Sequence, residues 1–216
     1  MTDDLSAGAQ PVGAALARSL YERLAGAYDL RSRPRIVIGI GGESGSGKSV
    51  AATSLARALD AEGMRTCVIH ADDYFHLPPL SNHERRVRDL RHVGPHEVNL
   101  TLIQEHIRDF HAARNNVVTP RVDYPANRFD THRVDFGTFQ AMVVEGTYVL
   151  PLEGLDVRIF FTATHQETLE RRRRRNRDID APIINDILAI EHELIAPQSG
   201  LADILVDHDF VIRPRT

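Results

Sequence analysis

The chain has 216 residues, 42% of them hydrophobic and 26% charged, with a formal net charge of −4. This length suits one domain, with room for a small lid or insertion, and the acidic balance argues against a surface given over to nucleic acid. The single cysteine, Cys67, excludes an internal disulfide, and no apolar run is long enough to span a bilayer.

The N-terminus opens with Asp3 and Asp4 and has no basic stretch, which does not read as a secretory signal, so the expected location is cytoplasmic. Residues 1–11 read as weakly ordered. From Val12 to Leu30 apolar residues recur at helical spacing (Leu16, Leu20, Leu24, Ala27), which predicts an amphipathic helix broken at Ser32-Arg33-Pro34. Arg35 to Ile40 is a β-branched run of the kind buried on both faces of a sheet. A glycine-rich loop follows it, then a helix over 48–61 and a strand over 66–71. Cys67 falls in that strand, as a buried rather than a reactive thiol.

Residues 72–94 are polar and read as a surface segment. A helix is predicted over 98–113, and short strands or a hairpin at 117–119 and 122–124, parted by Pro120. Ala141-Met142-Val143-Val144 reads as a buried strand ending at Glu145, and 157–162 as another that feeds a helix through Arg177. A helix over 185–195 and strands over 201–206 and 210–212 close the chain. Strands alternating with helices predict an α/β layer structure with a mainly parallel sheet.

The loop after the first strand is Gly42-Glu43-Ser44-Gly45-Ser46-Gly47-Lys48-Ser49, a match to G-x-x-x-x-G-K-[ST] between a strand and a helix. Of the 26 Lys and Arg residues only Lys48 is a lysine. It stands where a compact ammonium on a flexible stem suits phosphate oxygens. Glycines let successive N–H groups point at a phosphate, and the following helix adds its positive end. In such loops the lysine bridges β- and γ-phosphates and the Ser49 hydroxyl ligates Mg2+, so ATP and Mg2+ are the expected cofactors. With no second lysine the guanine-reading Asn-Lys-x-Asp is absent, and a transporter-type signature is missing too. A kinase acting on a small acceptor remains.

Open parallel sheets bind ligands beyond the carboxyl ends of their strands, and two predicted strands end there in acids, Asp72-Asp73 and Glu145. Phosphoryl transfer needs a carboxylate to deprotonate the acceptor hydroxyl and acids to hold Mg2+. Asp72 is the candidate base, with Asp73 as its rival.

The phosphate loop, Asp72-Asp73-Tyr74-Phe75, Val144-Glu145-Gly146 and the arginine-rich stretch together resemble the uridine kinase and phosphoribulokinase superfamily, from about Arg35 to Ile212. The resemblance implies a three-layer P-loop fold with a small hairpin insertion and a helical lid. It divides the chain into an N-terminal extension and helix (1–34) and a kinase domain (35–216) whose lid spans about 168–184. It implies that Asp72 is the base and contributes to the metal site, that Glu145 helps hold Mg2+, and that Phe75 packs near a nucleobase. Phe129 and His132, in Asn127-Arg128-Phe129-Asp130-Thr131-His132, fall at base-contacting positions, with Asn127 where the family has tyrosine. Arg175 and Arg177 match the lid arginines that close over the transferring group, worth up to about 10³–10⁵ in rate in other phosphoryl-transfer enzymes. Val93 falls where nucleoside kinases carry the Asp that holds the ribose hydroxyls, with Glu97 close by as another acid.

The resemblance therefore implies an ATP-dependent transfer to the 5′-hydroxyl of a nucleoside such as uridine or cytidine. The alternatives are another small alcohol (nicotinamide riboside, pantothenate or a sugar phosphate read by Arg85, Arg86, Arg88 and Arg91) or a nucleotide-binding regulator. The arginine run Arg171 to Arg177 reads as a lid rather than a nucleic-acid patch. The expected partner is a small-molecule acceptor, with no nucleic acid and no membrane, and a homo-oligomer is left open. The 11 histidines show no zinc-like spacing, and pairs such as His92 and His96 lack a supporting cysteine.

Overall fold

Ile36, Ile38 and Ile40 pack with Leu16, Leu20, Leu24, Leu55 and Leu59 in one hydrophobic cluster. Val37 lies in a second, with Met142, Val144, Ile103, Ile107 and Phe110. Successive residues of a strand point to opposite faces of a sheet, so these clusters are the two covered sides of a central sheet, and the architecture has three layers. The computed structural model that shows this describes residues 10–30, 33–168 and 182–214.

The central sheet runs β2 (Thr66–His70), β5 (Ala141–Glu145), β1 (Ile36–Gly42), β6 (Val157–Phe161), β7 (Ile204–Val206), β8 (Ile212–Pro214). All neighbours pair in parallel except β7 with β8. Every residue of β1 and β5 is buried, as a strand covered on both faces requires. Helices α1 (Gln10–Ala27) and α2 (Lys48–Ala61) cover one face, and α4 (Leu100–His111) lies in the cluster on the other. The expected α/β class and mainly parallel sheet are what is found.

Several boundaries differ from expectation. Helix α1 begins at Gln10, inside the stretch read as weakly ordered. The two short strands around Pro120 are one strand, β3 (Val117–Asp123), paired antiparallel with β4 (Arg128–Val134). A two-stranded ribbon leaves one side of each backbone unpaired, which is where a proline fits. The polar segment 72–94 contains a helix, α3 (Pro79–Arg88), which was not predicted. Its proline sits at a first-turn position, where the missing N–H costs nothing, and its inward residues are Asn82 and Arg86 rather than an apolar stripe. The strand expected over 201–206 shortens to 204–206 because Ala196–Leu201 forms a 3-10 helix after α5 (Pro182–Ile195). The last strand starts at Ile212 because Phe210 has a left-handed φ of 63° in a turn built on Asp207.

Candidate active site

The phosphate loop joins β1 to α2, and its shape follows from its glycines. Gly47 has φ 107°, and a Cβ there would meet the Phe210 ring at 2.9 Å. Gly47 is also the N-cap of α2, and no side chain caps that helix or places an acid in its first turn. The opening amides of α2 are therefore left for an anion. The Lys48 side chain is buried, its Nζ donating to the Glu43 carbonyl at 3.4 Å. Ser46 Oγ is buried without a hydrogen-bond partner among the described residues, as a group awaiting a phosphate oxygen would be.

Register assembles the acids. Glu145 at the end of β5 pairs with Ile40 of β1 on one side and His70 of β2 on the other. Beyond His70 the chain turns into a 3-10 helix, Ala71–Tyr74, so Asp72 and Asp73 leave β2 beside Glu145. The two strand ends approach closely at Gly146, where a Cβ would fall 2.4 Å from that of Ala71. Phosphate loop, Glu145 and Asp72 thus sit at the carboxyl ends of three adjacent parallel strands.

Glu145 is 3% exposed and accepts a hydrogen bond from His70 Nδ1 at 2.7 Å. Burial pushes its pKa up, but the His70 hydrogen bond and the Lys48 charge outweigh that and hold the carboxyl below its ordinary range. Its other oxygen, Oε2, is buried and makes no hydrogen bond among the described residues. An ionised, half-satisfied carboxylate beside the phosphate lysine fits a hard, oxygen-seeking cation such as Mg2+. His70 was missed from the sequence; its signal was a polar residue at the last position of an apolar strand, immediately before the acids.

Asp72 is exposed, whereas Asp73 accepts from the Val122 backbone N–H at 2.8 Å and so anchors the β3–β4 ribbon. Phe75 is half-buried, bridged to Val98, with the Arg86 guanidinium 5.8 Å from its ring centroid. Phe129 and His132 lie three residues apart on β4, so alternation places them on opposite faces of the ribbon. Phe129 pairs with Val122 and is half-buried; His132 pairs with Thr119 and is exposed. Asn127 has φ 48°, a left-handed conformation that asparagine tolerates far better than an aromatic residue. Its side chain accepts from Leu80 N–H at 2.9 Å, clamping the ribbon's turn to α3.

Val93 is buried, and Glu97 is fully buried with both carboxylate oxygens engaged by Arg86, Asn82 and the Gly94 N–H. Glu97 is therefore not presented to an acceptor. Arg86 also pairs with Glu191 of α5 at 3.0 Å, while Arg88 and Arg91 pair with Glu84 and Asp89. Burial pushes the Cys67 thiol up to about 12, in keeping with an unreactive strand cysteine. Arg175, Arg177 and most of the expected lid lie outside the described residues.

The sequence model of the phosphoribulokinase / uridine kinase family matches residues 37–206. The chain belongs to that family. It is a kinase that transfers phosphate from a nucleotide to a hydroxyl acceptor, and its ATP use follows from the family. A bifunctional alpha-galactosidase/sucrose kinase of Mediterraneibacter gnavus is 30% identical over 88% of this chain, which spans only 22% of that relative. A uridine kinase of Proteus mirabilis is 28% identical over 79% of this chain and 85% of its own length. A solved structure described as a possible uridine kinase from Bacillus stearothermophilus shares the P-loop kinase fold, with a TM-score of 0.63, 17% identity, and coverage of 88% of this chain and 97% of that one. No helix among the described residues is long and apolar enough to cross a membrane.

Proposed function

We propose that this kinase phosphorylates a hydroxyl of a neutral sugar. The observation that carries the reading concerns the position where nucleoside kinases hold the ribose diol: among the described residues Val93 stands there buried, and nearby Glu97 is sequestered by Arg86. A ribose facing valine would lose charge-assisted hydrogen bonds. Of the arginines offered for reading a sugar phosphate, Arg86, Arg88 and Arg91 are also engaged in ion pairs. The sucrose kinase relative supports the same acceptor class.

In this reading Asp72 takes the proton from the acceptor hydroxyl as its oxygen attacks the γ-phosphorus, and ADP leaves. Lys48 and the α2 amides hold the phosphates through the transfer. The Ser49 hydroxyl and the carboxylates of Glu145 and Asp72 would hold Mg2+. When bound, Mg2+ supplies neutralisation of the phosphate charge. Arg175 and Arg177 are proposed to close over the transferring group.

A second reading, a uridine- or cytidine-like nucleoside accepted at its 5′-hydroxyl, is favoured by the half-buried Phe129 on the ribbon and by the uridine kinase relative. Coupled ADP release against neutral mono- and disaccharides, sugar phosphates and nucleosides separates them. The expected result is turnover with a neutral sugar. Turnover with nucleosides alone would replace the first reading by the second, and no turnover with any of these acceptors would overturn both.

A further inference from the structure

Three side chains from distant parts of the chain converge at the phosphate loop. Glu43, the loop's second residue, is 5% exposed. Its Oε1 lies 2.7 Å from Nδ1 of His192 on α5, and its Oε2 lies 3.2 Å from Nδ1 of His165. The backbone N–H of His165 donates to the same Oε2 at 2.6 Å, which fixes the carboxylate in place. One carboxylate oxygen and the two imidazole nitrogens all lie within 4.8 Å of one another. Four-coordinate bonds of about 2.0–2.1 Å set donor atoms roughly 3.3 Å apart, so small side-chain rotations suffice to close the set on an ion.

The chemistry of the set is selective. In this arginine-rich chain the buried carboxylates of Glu97 and Glu191 are both held by Arg86, whereas among the described residues Glu43 is held by two imidazoles. Two nitrogens and one oxygen suit a borderline transition metal, while Mg2+ prefers oxygen alone. The phosphate-side acids Glu145 and Asp72 offer that oxygen. Three protein ligands leave a fourth position for water, and the His192 side chain, 37% exposed, gives an entry path.

We propose that Glu43, His165 and His192 bind one borderline divalent ion of the Zn2+ class, separate from the Mg2+ position, and that the ion ties the phosphate loop to both flanks of the segment 169–181. His165 precedes that segment and His192 follows it. The Thr168 hydroxyl, within hydrogen-bond reach of the Ser44 carbonyl at 3.4 Å, already brings one flank to the loop. The proposal is independent of which acceptor the kinase uses.

The test uses full-length protein stripped by chelator dialysis and kept in excess Mg2+. Adding Co2+ should produce visible absorption stronger than that of the aqueous ion, saturating at one equivalent and abolished by Zn2+. Saturating Zn2+ should raise the melting temperature by roughly 5 °C. His165→Gln and His192→Gln preserve polar contact with Glu43 but remove a nitrogen ligand. Each should weaken Co2+ binding by about 100-fold, the upper end of what even a ligand-orienting partner is worth. Without any variant, Zn2+ should protect His192 from diethylpyrocarbonate, mapped by mass spectrometry, and Mg2+ should not. Absorption identical to the aqueous ion would overturn the proposal. So would bands that persist in the His165→Gln/His192→Gln double variant, or bands lost in Glu145→Gln alone.

Discussion

The donor side and the acceptor side of this kinase are held together by different physics. On the donor side, β1, the phosphate loop and α2 are contiguous in sequence, and apolar residues on both faces of the sheet fix them. On the acceptor side, α3, the 3-10 turns and the β3–β4 ribbon are joined by polar links: Asp73 to Val122, Asn127 to Leu80, and Arg86 to Glu97 and Glu191. Nucleotide chemistry shared by many kinases can rest on a rigid local unit. A region joined by long-range polar contacts can be re-specified by changing a few of them.

The largest effect should come from breaking the donor side. Lys48→Ala should lower kcat by at least about 10³-fold, since the charge lost is the one proposed to hold the transferring phosphates. Circular dichroism should show an unchanged fold. Because Lys48 is the only lysine, amine-directed labelling of the native protein, mapped by peptide, should fall on Lys48 and the N-terminus, with ATP protecting Lys48 alone. Retained turnover in Lys48→Ala would dissolve the distinction between the two sides.

The adjacent acids sharpen the boundary between the sides. Asp72→Asn should cost about 10²–10⁴ in kcat with ATP binding intact, the range for losing a general base. Asp73→Asn instead loosens the Val122 anchor of the ribbon, so its effect should fall on the acceptor KM. If steady-state kinetics gave the opposite split, Asp73 would be the base and Asp72 the structural residue.

Arg86 breaks the acceptor side directly. Its guanidinium sits between two buried carboxylates, and burial together with Glu97 raises the pKa of Glu191. Arg86→Met would leave both acids without their cation, which costs about 3–5 kcal/mol when a buried pair is broken. Urea unfolding should show that loss. A double variant, Arg86→Met with Glu97→Gln, should recover part of it.

The same contrast explains what the sequence could reveal. The phosphate loop, its flanking strand and helix, and the strand-end acids were legible because each is a local pattern: a β-branched run, a glycine spacing, an acid after an apolar strand. Helix α3 was not, since its inward face is Asn82 and Arg86, and no apolar periodicity marks it. The ribbon was misdivided because Pro120 looks like a break until its partner strand is known. The sequestering of Glu97 cannot be read from spacing, because it depends on partners elsewhere in the chain. Glu43, His165 and His192 have no metal-like spacing for the same reason.

The smallest predicted effect tests whether the acceptor side also carries a titratable joint. His106 of α4 is buried against Tyr74, its Nδ1 accepting from the Tyr74 hydroxyl at 2.8 Å. Burial pushes its pKa below the ordinary histidine value, against the opposing pull of Asp109 and Glu105. A histidine kept neutral by the fold takes up its proton more readily when unfolded. Its contribution to stability is therefore complete above the unfolded value of about 6.5 and is lost as pH falls from there through the lower folded value. Melting temperatures measured between pH 7.5 and 5 should decline on the acid side, and His106→Gln should flatten part of that slope whatever it does to stability at pH 7.5. His70, raised by its hydrogen bond to Glu145, has the opposite sign and is unaffected by the substitution, so the difference between the two proteins isolates His106. An unchanged slope would mean that the Tyr74–His106 contact joins α4 to the turn carrying Asp72 without coupling that joint to pH.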